Sequence, residues 1–278
     1  MPAMRSGDLL GAAATKITKM FIVLCVLRFV SIVFFVVHAV FVVSVVKSPD
    51  KSPDRIAGMF DAIAPRYDLL NHLLSAGIDR RWRAAAIRSL ALTGRETLLD
   101  VCAGTADVAL ASRPGAARVV GVDFSGAMLA RGLQKVRAAG ESQHITLLRG
   151  DAMQLPAADR SVDAVTIAFG IRNVQRPEVA CAELARVLRP GGRLAILEFG
   201  VPRIPGIKPL YLWYFTHVLP RIGRAISGHG AAYSYLPASV GTFAPPSEFV
   251  ETLRRAGFSG VRADPLTFGI VYLYTARL

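Results

Sequence analysis

A run of small residues directly follows an apolar stretch at Leu99-Asp100-Val101-Cys102-Ala103-Gly104-Thr105-Ala106-Asp107. Such a turn lets a ligand approach the backbone closely, beside the N–H groups that open a helix. Asp123 ends the next apolar stretch. In doubly wound nucleotide folds an acid about twenty residues beyond the turn accepts hydrogen bonds from ribose hydroxyls. The chemistry predicted is nucleoside binding. The strict Gly-x-Gly-x-x-Gly fingerprint is missing, because Ala103 and Ala106 stand near two of the glycine positions. That argues against a pyrophosphate pressed on the backbone and for a nucleoside without phosphates, such as S-adenosylmethionine. Gly150-Asp151-Ala152 adds a carboxylate placed to meet an adenine edge. The alternative reading of these residues is a plain turn with a surface acid and, at Asp151, a turn cap.

These residues need a scaffold that brings strand ends together, and the pattern predicts one. Strands are expected over Thr97–Cys102, Arg118–Asp123, His144–Leu148, Asp163–Phe169 and Leu194–Phe199, with two short ones near Val261 and over Ile270–Ala276. Helices are expected after the turn to about Ser112, from the Ser125 cap to about Ala139, over Glu178–Leu188 before Arg-Pro-Gly-Gly, and over Ser247–Ala256. Upstream, Met59, Phe60, Ile63, Tyr67, Leu70, Leu73 and Leu74 recur at helical spacing, so Arg55 to about Leu90 reads as helical. Strand–helix alternation implies an α/β fold with a mostly parallel seven-stranded sheet covered on both faces.

Met20 to Val46 is almost continuously apolar, long enough to cross a bilayer as a helix. Two readings stand: a membrane anchor, or upstream sequence translated from a misplaced start. Lysines flank the run on both sides and give no orientation. Lys-Ser-Pro-Asp, written twice, forms a polar linker, so residues 1–54 read as an extension and 55–278 as the globular domain. The 33 Lys and Arg against 20 Asp and Glu give a net charge of +13. That excess suits an acidic membrane surface, and no nucleic-acid signature accompanies it. Cys25, Cys102 and Cys181 lie far apart and form neither a disulfide framework nor a metal site. His217 and His229 lack spaced ligand partners.

Four blocks together resemble the ubiquinone/menaquinone biosynthesis C-methyltransferase family, across about Arg55 to Leu278. The first is Phe60-Asp61-x-Ile63-Ala64-x-Arg66-Tyr67-Asp68-Leu69-Leu70-Asn71, continuing to Ser75-x-Gly77-Ile78-Asp79-x-x-Trp82. The others are the Asp100–Asp107 turn, Phe169-Gly170-Ile171-Arg172-Asn173-Val174, and Arg186-Val187-Leu188-Arg189-Pro190-Gly191-Gly192 through Glu198. The resemblance implies a Rossmann-like class I methyltransferase that uses S-adenosylmethionine. Thr105, Asp123, Asp151 and Ala152 would then bind that cofactor, beside Asp100 and Gly104 that the turn itself already offers as cofactor-binding residues, and Ala168 would stand where a serine often contributes a contact. Arg172 and Asn173 would face a quinol ring, with Tyr67 lining the same pocket. The form of the turn is similar to that of menaquinone-pathway members. Asp79, where many members have His, is expected near the substrate mouth, and Gly200 replaces a frequent Ser.

The expected reaction is methylation of a ring carbon of demethylmenaquinol, with no metal. A ubiquinone precursor, another lipid phenol, or a non-catalytic cofactor-binding scaffold are the alternatives. A cation beside the developing phenolate would stabilise it, and Arg172 is the expected cation, with Asn173 orienting the oxygen. The competing reading is that Arg172-Asn173 caps the strand end and pairs with an acid. Tyr211-Leu212-Trp213-Tyr214-Phe215 is expected either to rim the tail channel at a membrane or to pack an ordinary helix. The enzyme would work at the cytoplasmic face of a membrane, held peripherally or by one N-terminal helix. A homo-oligomer stays open.

Overall fold

The computed structural model describes residues 50–202, 204, 207–218, 221 and 230–278. Of Leu70, Leu73, Leu74, Ile207, Lys208, Leu210, Phe215 and residues 230–234 it describes the backbone alone. The apolar run from Met20 to Val46, together with Cys25 and His229, lies outside the described residues.

Among the described residues three helices precede the sheet: α1 (Pro53–Ile63), α2 (Tyr67–Leu74) and α3 (Asp79–Ser89). The sequence predicted one helical stretch here, and two local features divide it. Pro65 sits in a 3-10 turn over Ala64–Arg66, since its ring cannot continue an α-helix. Ala76 and Gly77, both with positive φ, end α2, and the Gly77 N–H closes on the His72 carbonyl.

The α/β body follows as β1 (Thr97–Val101), α4 (Asp107–Ser112), β2 (Arg118–Asp123), α5 (Gly126–Ala138), β3 (Ile145–Arg149) and β4 (Val162–Ala168). It continues with α6 (Pro177–Val187), β5 (Leu188–Phe199), α7 (Ile207–Trp213), α8 (Gly230–Thr242), α9 (Pro246–Arg255), β6 (Ser259–Leu266) and β7 (Val271–Arg277). The seven strands form one sheet in the order β3-β2-β1-β4-β5-β7-β6, parallel except for β7, which runs against both neighbours. The strand count and the mostly parallel sheet agree with the sequence reading. β5 starts earlier than predicted. Arg189 to Gly192 bulges out of register with β4, while Gly191 and Gly192 exchange hydrogen bonds with Leu278 at the end of β7.

Neighbouring strand residues feed opposite faces, as the pleat requires. Leu99, Val165, Leu194 and Ile196 pack towards Leu184 of α6 and Phe249 of α9. Leu98, Ala164, Ala195 and Leu197 pack towards Trp82 and Ala86 of α3 and Ala109 of α4. A third, smaller cluster over the strand ends joins Ile63, Met128, Tyr211 and Val240. It seats α1, α7 and α8 above the edge where β1, β2 and β4 end. Sequence order reverses between β1 and β4, and such a switch point opens a crevice for a ligand.

Candidate active site

The crevice is a cleft of about 820 Å³, part of it open to solvent. Its floor comes from strand ends and the turns after them: Val101, Cys102 and Gly104 beyond β1, Asp123 to Ser125 beyond β2, Gly150 to Met153 beyond β3, and Ala168 to Gly170 with Asn173 beyond β4. Lys51, Ile56, Phe60 and Tyr67 close it from the N-terminal side.

The turn after β1 holds Cys102, Gly104 and Ala106 at φ of 56°, 54° and 66°. Two of these three carry a Cβ that disfavours the left-handed region, so local strain is spent shaping the turn. Its partners hold it there. The Ala103 N–H donates to the Val122 carbonyl at 3.0 Å, and the Gly104 N–H donates to Asp123 Oδ2 at 2.7 Å. The Ser125 N–H donates to Asp123 Oδ1 at 2.8 Å. Asp123 is thus fixed through both oxygens by backbone donors, each oxygen keeping a lone pair for a further donor. Burial pushes its carboxyl above the usual range, against the lowering effect of those N–H groups. Asp151 is oriented in the same way by the Met153 N–H at 2.8 Å, and Ala152 is buried beside it.

The structure brings Gly104, Asp123, Asp151, Ala152, Tyr67 and Asn173 to one cleft. Asp100 and Thr105 stand behind its wall. Asp100 is buried under the turn, and burial, reinforced by the nearby Asp123 charge, pushes its carboxyl up to about 8. The Thr105 hydroxyl is buried too and donates to Asp68 Oδ1 at 2.5 Å, so its side chain faces α2 rather than the cleft. Lys135 of α5 bonds Asp68 Oδ2 at 3.0 Å and pairs with Asp107, and Arg83 of α3 reaches Asp107 Oδ2 at 3.3 Å. Asp61 of α1 accepts from the Ser125 hydroxyl at 2.5 Å and from the Ala127 N–H at 3.1 Å. Asp61 and Asp68 therefore clamp the N-terminal helices onto the turns after β2 and β1. Their seven-residue spacing puts them on one side of a helical run, which was the available signal; their partners, distant in sequence, were not readable.

Asp79 does not reach the substrate mouth. It is buried and bound by Arg83 Nη1 at 2.6 Å, the Ser75 hydroxyl at 2.8 Å and His72 Nδ1 at 3.0 Å. A buried carboxylate is retained where donors surround it, and here they tie α2 to α3.

Beyond β4 the geometry separates Arg172 from Asn173. Gly170 packs so closely on Cys102 that a Cβ there would lie 2.3 Å from Cys102 Cβ. Phe169, at φ 61°, stacks on Phe199 with centroids 4.5 Å apart. Arg172 is buried, and its Nη1 donates to Glu198 Oε1 at 2.8 Å and to the Phe169 carbonyl. Glu198, fully buried, also accepts from the N–H groups of Arg172 at 3.1 Å and Phe199 at 2.8 Å. Arg172 therefore takes the acid-paired role that the sequence had left as the competing reading. Its charge is compensated, and its side chain does not line the cleft. Asn173 does line it, and its amide oxygen has no hydrogen-bond partner among the described residues.

Residues 48–277 match the model of the ubiE/COQ5 methyltransferase family. The chain belongs to that family. It is 53% identical over 219 residues to the ubiquinone/menaquinone biosynthesis C-methyltransferase of Syntrophotalea carbinolica, covering 78% of this chain and 91% of that one. It is 46% identical over 218 residues to the demethylmenaquinone methyltransferase of Thermus thermophilus, covering 78% of this chain and 98% of that one. A solved S-adenosylmethionine-dependent methyltransferase from Aquifex aeolicus superposes with a TM-score of 0.50 at 18% identity, over 70% of this chain and 87% of that one. That likeness concerns the fold alone.

Two departures from the family pattern find their place. Ala168 lines the cleft without a hydroxyl. Gly200 lies under Tyr272, whose ring carbons would stand 2.7 and 2.8 Å from an added Cβ, so a serine at 200 would need Tyr272 to move. The aromatic stretch splits as well: Tyr211 is buried in the cluster over the strand ends, whereas Trp213 is exposed. Among the described residues no helix is long and apolar enough to cross a membrane, and no group of His, Cys, Asp or Glu could hold a metal. Cys102 and Cys181 are both free thiols.

Proposed function

We propose that the chain methylates a ring carbon of a reduced isoprenoid quinol, demethylmenaquinol, to give menaquinol. One observation carries this reading: a single cleft is lined both by the backbone-fixed Asp123 and by Asn173, whose buried amide oxygen has no hydrogen-bond partner among the described residues. Similarity to named quinone methyltransferases over 78% of this chain supports it.

The donor set fits S-adenosylmethionine. Asp123 retains acceptor capacity for two vicinal ribose hydroxyls, Asp151 and Ala152 frame the adenine edge, and the Gly104 backbone admits close approach. Asp100 and Thr105 act on the cofactor from behind, by shaping the turn. When bound, the cofactor supplies an electrophilic methyl group on a sulfonium.

Tyr67 and Phe60, in edge contact at 6.1 Å, give an apolar wall suited to a flat ring. Asn173 Oδ1 accepts the hydrogen of a phenolic hydroxyl and so fixes which ring carbon faces the methyl; alignment of this kind removes a large part of the barrier. Arg172 is a positioning residue. It locks the Ile171–Asn173 turn onto Glu198 and so aims Asn173. A reduced quinol is the substrate because ring oxygens donate electron density only in that state.

The isoprenoid tail leaves towards a membrane. Between Gly200 and Thr242 the sequence has four Lys or Arg, no Asp or Glu, and several aromatics, a composition suited to an anionic lipid surface. We place the enzyme at the cytoplasmic face, held by this segment with or without help from residues 20–46.

The test uses the full chain with methyl-labelled S-adenosylmethionine and three acceptors: reduced demethylmenaquinol, its oxidised form, and a reduced ubiquinone precursor. Label in menaquinol, and only from the reduced acceptor, is expected. Label in the ubiquinone precursor alone would reassign the substrate, and cofactor binding without transfer to any acceptor would favour a scaffold.

A further inference from the structure

Methylating a phenolic ring carbon requires the hydroxyl to shed its proton as the new bond forms. The residue expected to face the resulting negative charge, Arg172, is neutralised by Glu198 at 2.8 Å and does not line the cleft. At its ordinary pKa an arginine is also a poor base. The carboxylates that line the cleft, Asp123 and Asp151, are taken up by the proposed cofactor seat, so the ring side needs a cation and a proton acceptor from another residue.

Among the described residues lining the cleft, one is a Lys, Arg or His: Lys51. The sequence placed it in the polar linker before the domain. In the structure it stands two residues ahead of α1, whose Ile56, Ala57 and Phe60 line the same wall. It is half-buried, and among the described residues no carboxylate lies within ion-pair distance of it. Lys51 shares the cleft lining with Asn173, and the charges of Arg172 and Glu198 act on its amine. Building on the reading above, we propose that Lys51 is a catalytic residue that accepts the phenolic proton of the quinol.

The step balances without another reactant. The phenolic O–H bond breaks, its electron pair stays on oxygen, and the proton goes to neutral Nζ. The resulting ammonium lies beside the phenolate and stabilises it within the cleft. Ring-carbon attack on the methyl leaves the S–C electron pair on sulfur. The ring then loses its own proton to water to regain aromaticity, and the ammonium returns its proton to the oxygen. One proton is released overall.

The electrostatic setting shifts Lys51 toward its neutral amine. Burial lowers the Lys51 pKa first, and the Arg172 charge lowers it further, while Glu198 raises it. The other titratable groups around the cleft are Tyr67 from α2, Cys102 from the turn after β1, Asp123 after β2 and Asp151 after β3. Tyr211 of α7 and Tyr235 of α8 lie near the same Arg172–Glu198 pair. Burial pushes Tyr67, Cys102, Tyr211 and Tyr235 up, so they stay protonated and do not compete as bases near neutral pH.

The test compares Lys51→Met and Lys51→Arg in the full chain, with S-adenosylmethionine affinity measured by calorimetry beside turnover on reduced demethylmenaquinol. Both variants are expected to lose about a hundredfold in kcat and to keep cofactor affinity within about threefold. Their residual activity should rise steeply with pH as the phenol (pKa of about 10) ionises unaided. Full activity of Lys51→Arg would show that charge suffices and overturn the base assignment. An equal loss of cofactor affinity would move Lys51 to binding the cofactor and also overturn it. A second readout does not depend on turnover: acylation rate of Lys51 against pH, followed by peptide mapping. A midpoint below the ordinary lysine value of about 10.4 is expected, and one at or above it contradicts the proposal. If the wild-type enzyme itself leaves demethylmenaquinol unmethylated, the substrate assignment fails while the acylation result still judges Lys51.

Discussion

The two sides of the cleft are built differently. On the nucleoside side the carboxylates that line the cleft are held by backbone N–H groups, Asp123 by Gly104 and Ser125 and Asp151 by Met153, while Asp100 behind the wall keeps a buried Oδ2 without a partner among the described residues. On the quinol side the polar atoms are held less completely. Asn173 Oδ1, Arg172 Nε and the Tyr235 hydroxyl are buried without a hydrogen-bond partner among the described residues. An unsatisfied buried polar atom costs about 1–3 kcal/mol; of these three residues only Asn173 belongs to the cleft lining, where a bound molecule would complete it. The nucleoside seat is preformed by the sheet. On the proposed function, the ring seat is completed by its substrate at Asn173.

Three substitutions test that contrast. The largest effect is expected from Arg172→Ala, which strands the fully buried Glu198 and should cost about 3–5 kcal/mol of stability. Denaturant titration would measure it. Turnover should collapse while cofactor affinity of the folded fraction stays within about threefold, and adding Glu198→Gln should restore part of the stability. Equal loss of cofactor binding would mean that the two sides are not separable. Gly170→Ala strikes the seam, because its Cβ would press on Cys102 of the nucleoside-side turn. Overpacking of this kind costs about 1–3 kcal/mol, and here cofactor affinity and turnover should fall together. The smallest effect is expected from Asp68→Asn, which weakens the clamp from α2 to Thr105 and Lys135. Losing one charge-assisted bond, about 1.5 kcal/mol, should raise KM for the quinol several-fold with little change in cofactor affinity. An unchanged KM would remove Asp68 from positioning Tyr67.

The same contrast governed what the sequence disclosed. The nucleoside side was legible because its determinants are local: an apolar strand, a small-residue turn, an acid at the next strand end. The seven strands and the clustering of Gly104, Asp123, Asp151 and Ala152 followed from them. On the quinol side the determinants are long-range. Arg172 finds its partner 26 residues on, in Glu198, whose position inside the apolar run Leu-Ala-Ile-Leu-Glu-Phe was the visible sign of a buried pair. Thr105 was read as a cofactor contact, but its hydroxyl turns to Asp68, 37 residues away. Lys51 looked like linker because nothing in its neighbourhood reveals that the chain folds back over the strand ends. Pro65 and Ala76-Gly77 did announce the breaks between α1, α2 and α3, but a helical apolar period runs straight through them.

The division of the cleft is tested most directly by paired calorimetry and turnover on Asp123→Ala and Asn173→Ala. The account predicts opposite losses. Asp123→Ala should weaken S-adenosylmethionine binding about a hundredfold, the value of two hydrogen bonds to a charged acceptor, while quinol turnover partly recovers at saturating cofactor. Asn173→Ala should bind the cofactor normally and lose turnover at every cofactor concentration. If both variants lose cofactor affinity alike, or Asn173→Ala retains full turnover, Asn173 does not face the ring and the two-sided account is wrong.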